Sequence, residues 1–185
     1  MDEKKSATNH HKIIFTGPVG AGKTTAIHAI SDAPPVSTDA RAKDMTASRK
    51  QTTTVAMDYG TMRLNDKERI HLYGTPGQER FNFMWDILTE GGIGLILLLD
   101  NTRPAPFNDM RFFTQAFRSF IESTSLVIGV TRSDLKPTPH IDEYHRELDG
   151  LGIKAPIFEI DARRREDVSL LVQALLYRLD PGLSG

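Results

Sequence analysis

The chain has 185 residues, 39% hydrophobic and 25% charged, with a net charge of −1 and no cysteine. That length suits one domain with a real core, and the near-neutral charge offers no broad basic surface for nucleic acid. The missing cysteines exclude disulfides, thiolate metal centres, a cysteine nucleophile and prenyl or palmitoyl anchors.

The opening MDEKKSATNHH is too polar for a secretory signal, and Met1-Asp2 is no myristoylation start. Residues 1–10 read as a polar tail, 11–180 as one domain and 181–185 as a second tail. HKIIFTG (11–17) predicts a short buried strand ending in glycine, and residues 23–31 a helix stopping before Asp32-Ala33-Pro34-Pro35. Residues 33–51 mix Pro, Ser, Thr, Lys and Arg without a period, which predicts a mobile loop. Two alternating stretches, 52–64 and 68–74, flank Asn65-Asp66-Lys67 and predict a hairpin. GLILLLD (94–100) is a continuous apolar run, as in a strand covered on both faces, and too short to cross a bilayer. A helix is expected over 110–121, a strand over 125–131, a helix over 140–149, a strand over 155–161 and a final amphipathic helix over 167–179. This alternation predicts an α/β domain: a mostly parallel six-stranded sheet, helices on both faces and one antiparallel edge hairpin. A cytoplasmic protein without a transmembrane segment is expected.

Between the first strand and first helix, Gly17-Pro18-Val19-Gly20-Ala21-Gly22-Lys23-Thr24 fits G-x-x-x-x-G-K-[ST]. Glycines let the backbone N–H groups of Val19, Gly20, Ala21 and Gly22 turn inward on an anion, and the helix aims its positive end, with Thr24 and Thr25, at the same phosphates. Lys23 is suited to the β/γ oxygens and the Thr24 hydroxyl to Mg²⁺. The chain is therefore expected to be a P-loop NTPase.

With that cradle and Thr75-Pro76-Gly77-Gln78-Glu79 together, residues from about 11 to 180 resemble the Ras superfamily of small GTPases. Such switches usually open on a metal-holding aspartate, and here Gly74 stands in its place. Thr54-Val55-Ala56-Met57-Asp58 has the threonine and aspartate spacing of the bacterial MglA-like branch, where the aspartate on this strand serves the metal. A hairpin folded about Asn65-Asp66 sets Asp58 opposite Tyr73, Gly74 or Thr75 according to loop length, within about 5 Å of the displaced position. The resemblance implies Mg²⁺ held by Thr24, Thr54 and Asp58, with Thr52 and Thr53 as rivals to Thr54.

The resemblance further implies that Gly77 brings its N–H to the γ-phosphate and that Gln78 orients the attacking water, with Lys23 stabilising charge. Arg41, Arg49 and Arg80 are candidates for a charge-neutralising arginine in cis, each with a solvated surface role as the alternative. Val19, where Ras proteins usually carry glycine, would crowd an arginine arriving in trans. For the base, Thr131-Arg132-Ser133-Asp134 stands where the family has N/T-K-x-D, and Asp161-Ala162 where it reads Ser-Ala. An aspartate accepts two parallel bonds from guanine N1–H and its exocyclic amine, so Asp134 selects GTP over ATP. Arg132 would stack on the base, and Ala162 would offer its N–H to O6.

His10, His11, His140 and His145 lack metal-ligand spacing. Arg163-Arg164-Arg165 reads as a solvated helix start, and Trp85 as packed inward or exposed with nucleotide state. The expectation is a slow GTP-hydrolysing switch whose loops 33–54 and 75–90 are read by effector or regulator proteins, roadblock-type dimers among those the resemblance implies. An adaptor of the same fold with little or no hydrolysis is the alternative. A P-loop kinase or ATPase leaves TPGQE and TRSD without a role.

Overall fold

The computed structural model describes residues 9–34, 36–42, 53–78 and 82–179; of 36–42 and 53–56 it describes the backbone alone. Thirteen elements follow in order: β1 (Asn9–Thr16), α1 (Lys23–Ile30), β2 (Val36–Ala42), β3 (Thr53–Asn65), β4 (Glu68–Gly74), α2 (Phe83–Thr89), β5 (Gly94–Asp100), α3 (Pro106–Ala116), α4 (Arg118–Ser123), β6 (Leu126–Thr131), α5 (Ile141–Gly150), β7 (Ile157–Ile160) and α6 (Arg165–Leu179). They build one sheet of order β2-β3-β4-β1-β5-β6-β7. The five strands from β4 to β7 run parallel, and β2, β3 and β4 meet antiparallel. The six expected strands are all present, and β2 is a seventh.

That edge strand corrects the loop reading of 33–51 over Val36–Ala42; residues 35 and 43–51 lie outside the described residues. VSTDARA has only Val36 and Thr38 as good strand formers, and the backbone ladder to β3, from Val36↔Tyr59 to Ala42↔Thr53, supplies what propensity lacks. The helix expected over 110–121 is two helices broken at Phe117, where ψ opens to 16°. α2 lies in a segment for which no helix was expected.

Period-2 alternation divides the core. Ile13, Phe15, Ile96 and Leu98 face α1 and α6, while Ile14, Leu95, Leu97 and Leu99 face Trp85, α3 and α5. Every residue of β5 is buried, the condition for a continuous apolar strand in the middle of a parallel sheet. Among the described residues no helix is long and apolar enough to cross a membrane.

Trp85 takes the inward of its two expected positions. It is 3% exposed, stacks on Phe117 at 4.9 Å between centroids and meets Phe113 at 5.5 Å. Its Nε1–H donates to the Pro76 carbonyl at 3.2 Å, which ties α2 to the TPGQ segment. Trp85→Ala is expected to lower unfolding free energy by about 3 kcal/mol, read from urea denaturation.

Candidate functional site

Among the described residues, the cradle, residues 75–78, residues 131–134 and Asp161-Ala162 lie at the C-terminal ends of parallel strands β1, β4, β6 and β7, and Asp58 lies opposite the end of β4 on antiparallel β3. The chain leaves β1 through Gly17, whose φ is 142°. A Cβ at Gly17 would fall 2.1 Å from the Leu98 carbonyl oxygen, so no other residue lets the loop pass β5 this closely. Gly20 and Gly22 also take positive φ, 80° and 104°, and α1 starts at once with Lys23. Lys23 is 8% exposed. Its ammonium donates to the Gly17 and Pro18 carbonyls at 2.7 and 2.8 Å. Burial pushes its pKa down to about 8; the nearby Asp58 carboxylate opposes that shift and Arg103 adds to it.

The hairpin register sets Asp58 directly opposite Gly74. A two-residue turn pairs Asn65 with Glu68, and that register, continued, would set Asp58 opposite Thr75. The shift between Arg63 and Asn65 puts one extra residue, Leu64, on β3 and selects Gly74 from the three pairings that the sequence left open. The Thr24 hydroxyl donates a short hydrogen bond to Asp58 Oδ2. A Cβ at Gly74 would come within 3.2 Å of the Asp58 Cβ and 3.4 Å of its Oδ2, so the missing side chain at 74 is the space that Asp58 uses. Two positions on, Gly60 leaves room for Ser31 and Ile27, which places this face of β3 against α1 and the cradle.

Thr75 is anchored beneath the cradle: its N–H donates to the Phe15 carbonyl at 2.9 Å, and its hydroxyl lies 2.8 Å from that of Thr16. Gly77 lies against Val19 and Lys23, and Gln78 is exposed. Thr54 pairs with Arg41 in the β2–β3 ladder, but the side chains of Thr53, Thr54 and Arg41 lie outside the described part. Thr52, Arg49 and Arg80 lie wholly outside the described residues.

A second cleft, of about 330 Å³, adjoins the cradle and is lined by Ala21, Gly22, Thr25, Thr131, Asp134 and Ala162, with Arg132, Asp161 and Arg163 at its walls. The Thr131 hydroxyl donates to the Ala21 carbonyl at 3.1 Å, binding this cleft to the cradle. Arg132, at φ 60°, reaches the Gly20 carbonyl at 2.8 Å and pairs with Asp100. Burial raises the Asp100 pKa, but bonds from Thr102 and the Arg132 charge outweigh it and hold the group below its ordinary value.

Sequence reasoning gave Asp100 and Arg163 no place in the site. Asp100 is the charged end of an apolar strand, a position at which a buried carboxylate needs a partner. Arg163 bonds to Asp161 two residues before it, and that i to i+2 spacing was the available signal.

A family model described as "Conserved hypothetical ATP binding protein" matches residues 34–175. The chain belongs to that family. Among curated relatives, it is 27% identical over 182 residues to "Ras-related protein Rab-27A" of Sus scrofa, covering 89% of this chain and 76% of the relative. "Ras-related protein RabC" of Dictyostelium discoideum is 22% identical over 176 residues, covering 92% and 84%. "Uncharacterized protein MJ1339" of Methanocaldococcus jannaschii is 34% identical over 92 residues, covering 50% and 52%. The architecture above is that of a P-loop GTPase fold.

Proposed function

We propose that this chain is a small GTP-binding switch of the MglA-like type, which binds GTP with Mg²⁺, hydrolyses it slowly, and presents segments 33–54 and 75–90 to effector or regulator proteins according to nucleotide state. The observation that carries this reading is the Thr24 hydroxyl bonded to Asp58 beside Gly74. Those are two hard oxygen donors converging at the end of the cradle, the donor chemistry that suits Mg²⁺. Thr24 and Asp58 would hold the ion, with Thr54 as the third protein ligand. When bound, the ion would offset the charge of the phosphates.

The chain's own residues do the rest. Backbone N–H groups from Val19 to Thr25 bind the phosphates, and Lys23, already desolvated in its loop, adds a directed positive charge. Gly77 approaches the γ-phosphate, and Gln78 positions a water by donating and accepting at once. Asp134 accepts from guanine N1–H and N2–H, while Thr131, Arg132 and Ala162 shape the remaining edge. The family description names ATP; a carboxylate at 134 supports guanine instead, since adenine offers no such donor pair. Turnover is set at roughly 10⁻⁴ s⁻¹ without an arginine at the γ-phosphate and at roughly 10⁻² s⁻¹ with one supplied in cis. Partners of the roadblock type, and a cytoplasmic setting, belong to this reading.

The adaptor reading draws on Val19, 57% exposed on the cradle, where it would obstruct an arginine from an activating protein. Single-turnover hydrolysis separates the two. Mg²⁺-dependent GTP cleavage is expected for the wild type, with ATP as control. Gln78→Ala is expected to slow it about tenfold with GDP affinity unchanged, the loss of one hydrogen bond of about 1.5 kcal/mol. GTP binding without measurable cleavage supports the adaptor.

A further inference from the structure

We propose that Arg163 sets the purine preference of the second cleft: its guanidinium neutralises the Asp161 carboxylate, so that the edge facing position 6 of a purine takes an oxo group in preference to an amino group. The inference rests on the reading that a base lies between residues 131–134 and 161–163.

Asp161 and Arg163 line the same cleft as Asp134 and Ala162. Arg163 grips the carboxylate with both its side chain and its main chain. Nε donates to Oδ1 at 2.9 Å, Nη2 to Oδ2 at 2.7 Å, and the peptide N–H to Oδ1 at 2.9 Å. An ionised carboxylate has about four lone-pair positions, and these three bonds occupy most of them. The same contacts, led by the Arg163 side-chain bond, hold the Asp161 pKa at about 2, so the carboxylate stands ionised beside the arginine at any ordinary pH. The positive charge also feels Asp134, so Arg163 stands in the field of two acids.

The chemistry of the purine edge gives this pair a consequence. At position 6 adenine presents an amino donor and guanine an oxo acceptor. A bare carboxylate is acceptor-only: it attracts the amine and repels the oxo group. Paired with Arg163, it is neutral, and the guanidinium donors not used on Asp161 are of the kind that an oxo group accepts. A serine at this position would need no such partner. Asp161 does, and Arg163, the second of the two residues that follow it, supplies one.

Asp161 also accepts the Arg163 peptide N–H at the approach to α6, a purely structural duty. Asparagine retains that acceptor without the charge, and so separates the two roles. The test measures equilibrium affinity for GTP, ITP and ATP by displacement of a fluorescent nucleotide. It compares wild type, Arg163→Ala and the double variant Arg163→Ala/Asp161→Asn, with thermal melts confirming the fold. ITP and ATP differ at position 6 and at N1. The N1 contact, assigned to Asp134, is common to all three proteins, so a change in the ITP-to-ATP ratio between variants reads position 6. GTP and ITP differ only at the 2-amino group, also assigned to Asp134. Arg163→Ala is expected to move the ITP-to-ATP affinity ratio toward ATP by about tenfold, the scale of one base-edge contact. The double variant is expected to restore most of it. A ratio unmoved by Arg163→Ala, or moved but not restored by asparagine, overturns the inference while GTP still exceeds ITP. Wild type binding ATP as tightly as GTP, or ITP as tightly as GTP, overturns the base reading and this inference with it.

Discussion

Asp58→Ala is expected to lower Mg²⁺-dependent GTP affinity on the order of 10²–10³-fold, the cost of removing one preorganised charge-stabilising group from a phosphate site. The expectation follows from register. Because Asp58 pairs with Gly74, its side chain lies over the position where a Ras-type switch carries its aspartate, and it already receives the Thr24 hydroxyl. Removing the carboxylate leaves that hydroxyl without its partner and the cradle without an acidic oxygen at this end. The measurement is GTP titration calorimetry with Mg²⁺ and again with chelator. The wild type is expected to lose affinity on chelation, and the variant to bind weakly in both conditions. If Asp58→Ala keeps the full Mg²⁺ dependence, another group holds the metal and the displaced-carboxylate reading fails. The fold is expected to survive, since Asp58 is only half-buried and the ladder around it is a backbone one.

What the sequence disclosed, and what it hid, divides along the range of the interactions involved. The cradle was legible because a glycine-lined turn between a buried strand and a helix is fixed by its own eight residues. The hairpin was legible too, since Asn65 accepts the Lys67 N–H at 2.8 Å and makes the turn locally. Its register was not: the shift between Arg63 and Asn65 decides between Thr75 and Gly74 as the partner of Asp58, and nothing in the residue types of that turn announces an extra residue. β2 stayed hidden because its strand character comes from the β3 edge and not from its own side chains. Four phenylalanines at helical spacing concealed the break at Phe117, because burial against the same core continues across it. Arg163 was lost in a run of three arginines, where a solvated face is the ordinary reading; its partner two residues earlier is what sets it apart from Arg164.

Gly77→Ala is the second variant with a large expected effect, because the space it needs is occupied by backbone. A Cβ there would stand 2.7 Å from the Val19 amide nitrogen, 2.9 Å from Lys23 Nζ and 3.0 Å from the Pro18 carbonyl carbon. The lysine tip can move aside, but two cradle backbone atoms cannot do so without distorting the phosphate site. The segment must therefore lift, and its earlier part is held: Thr75 by Phe15 and Thr16, Pro76 by the Trp85 indole. The displacement falls on residues 77 and 78, which takes the Gly77 N–H from the γ-phosphate as well as Gln78 from its water, two losses where Gln78→Ala makes one. A shift of about 1 Å in a positioning group costs on the order of 10²-fold in rate. Single-turnover GTP hydrolysis is expected to fall by that amount, while GDP, which lacks the γ-phosphate that Gly77 approaches, loses affinity by much less. Trp85 is the chain's one tryptophan and bonds to Pro76, so its fluorescence provides a parallel check that the anchored part of the segment has stayed in place. An unchanged hydrolysis rate would mean that Gly77 does not close on the cradle during the reaction, and the role given to the TPGQ segment would fall with it.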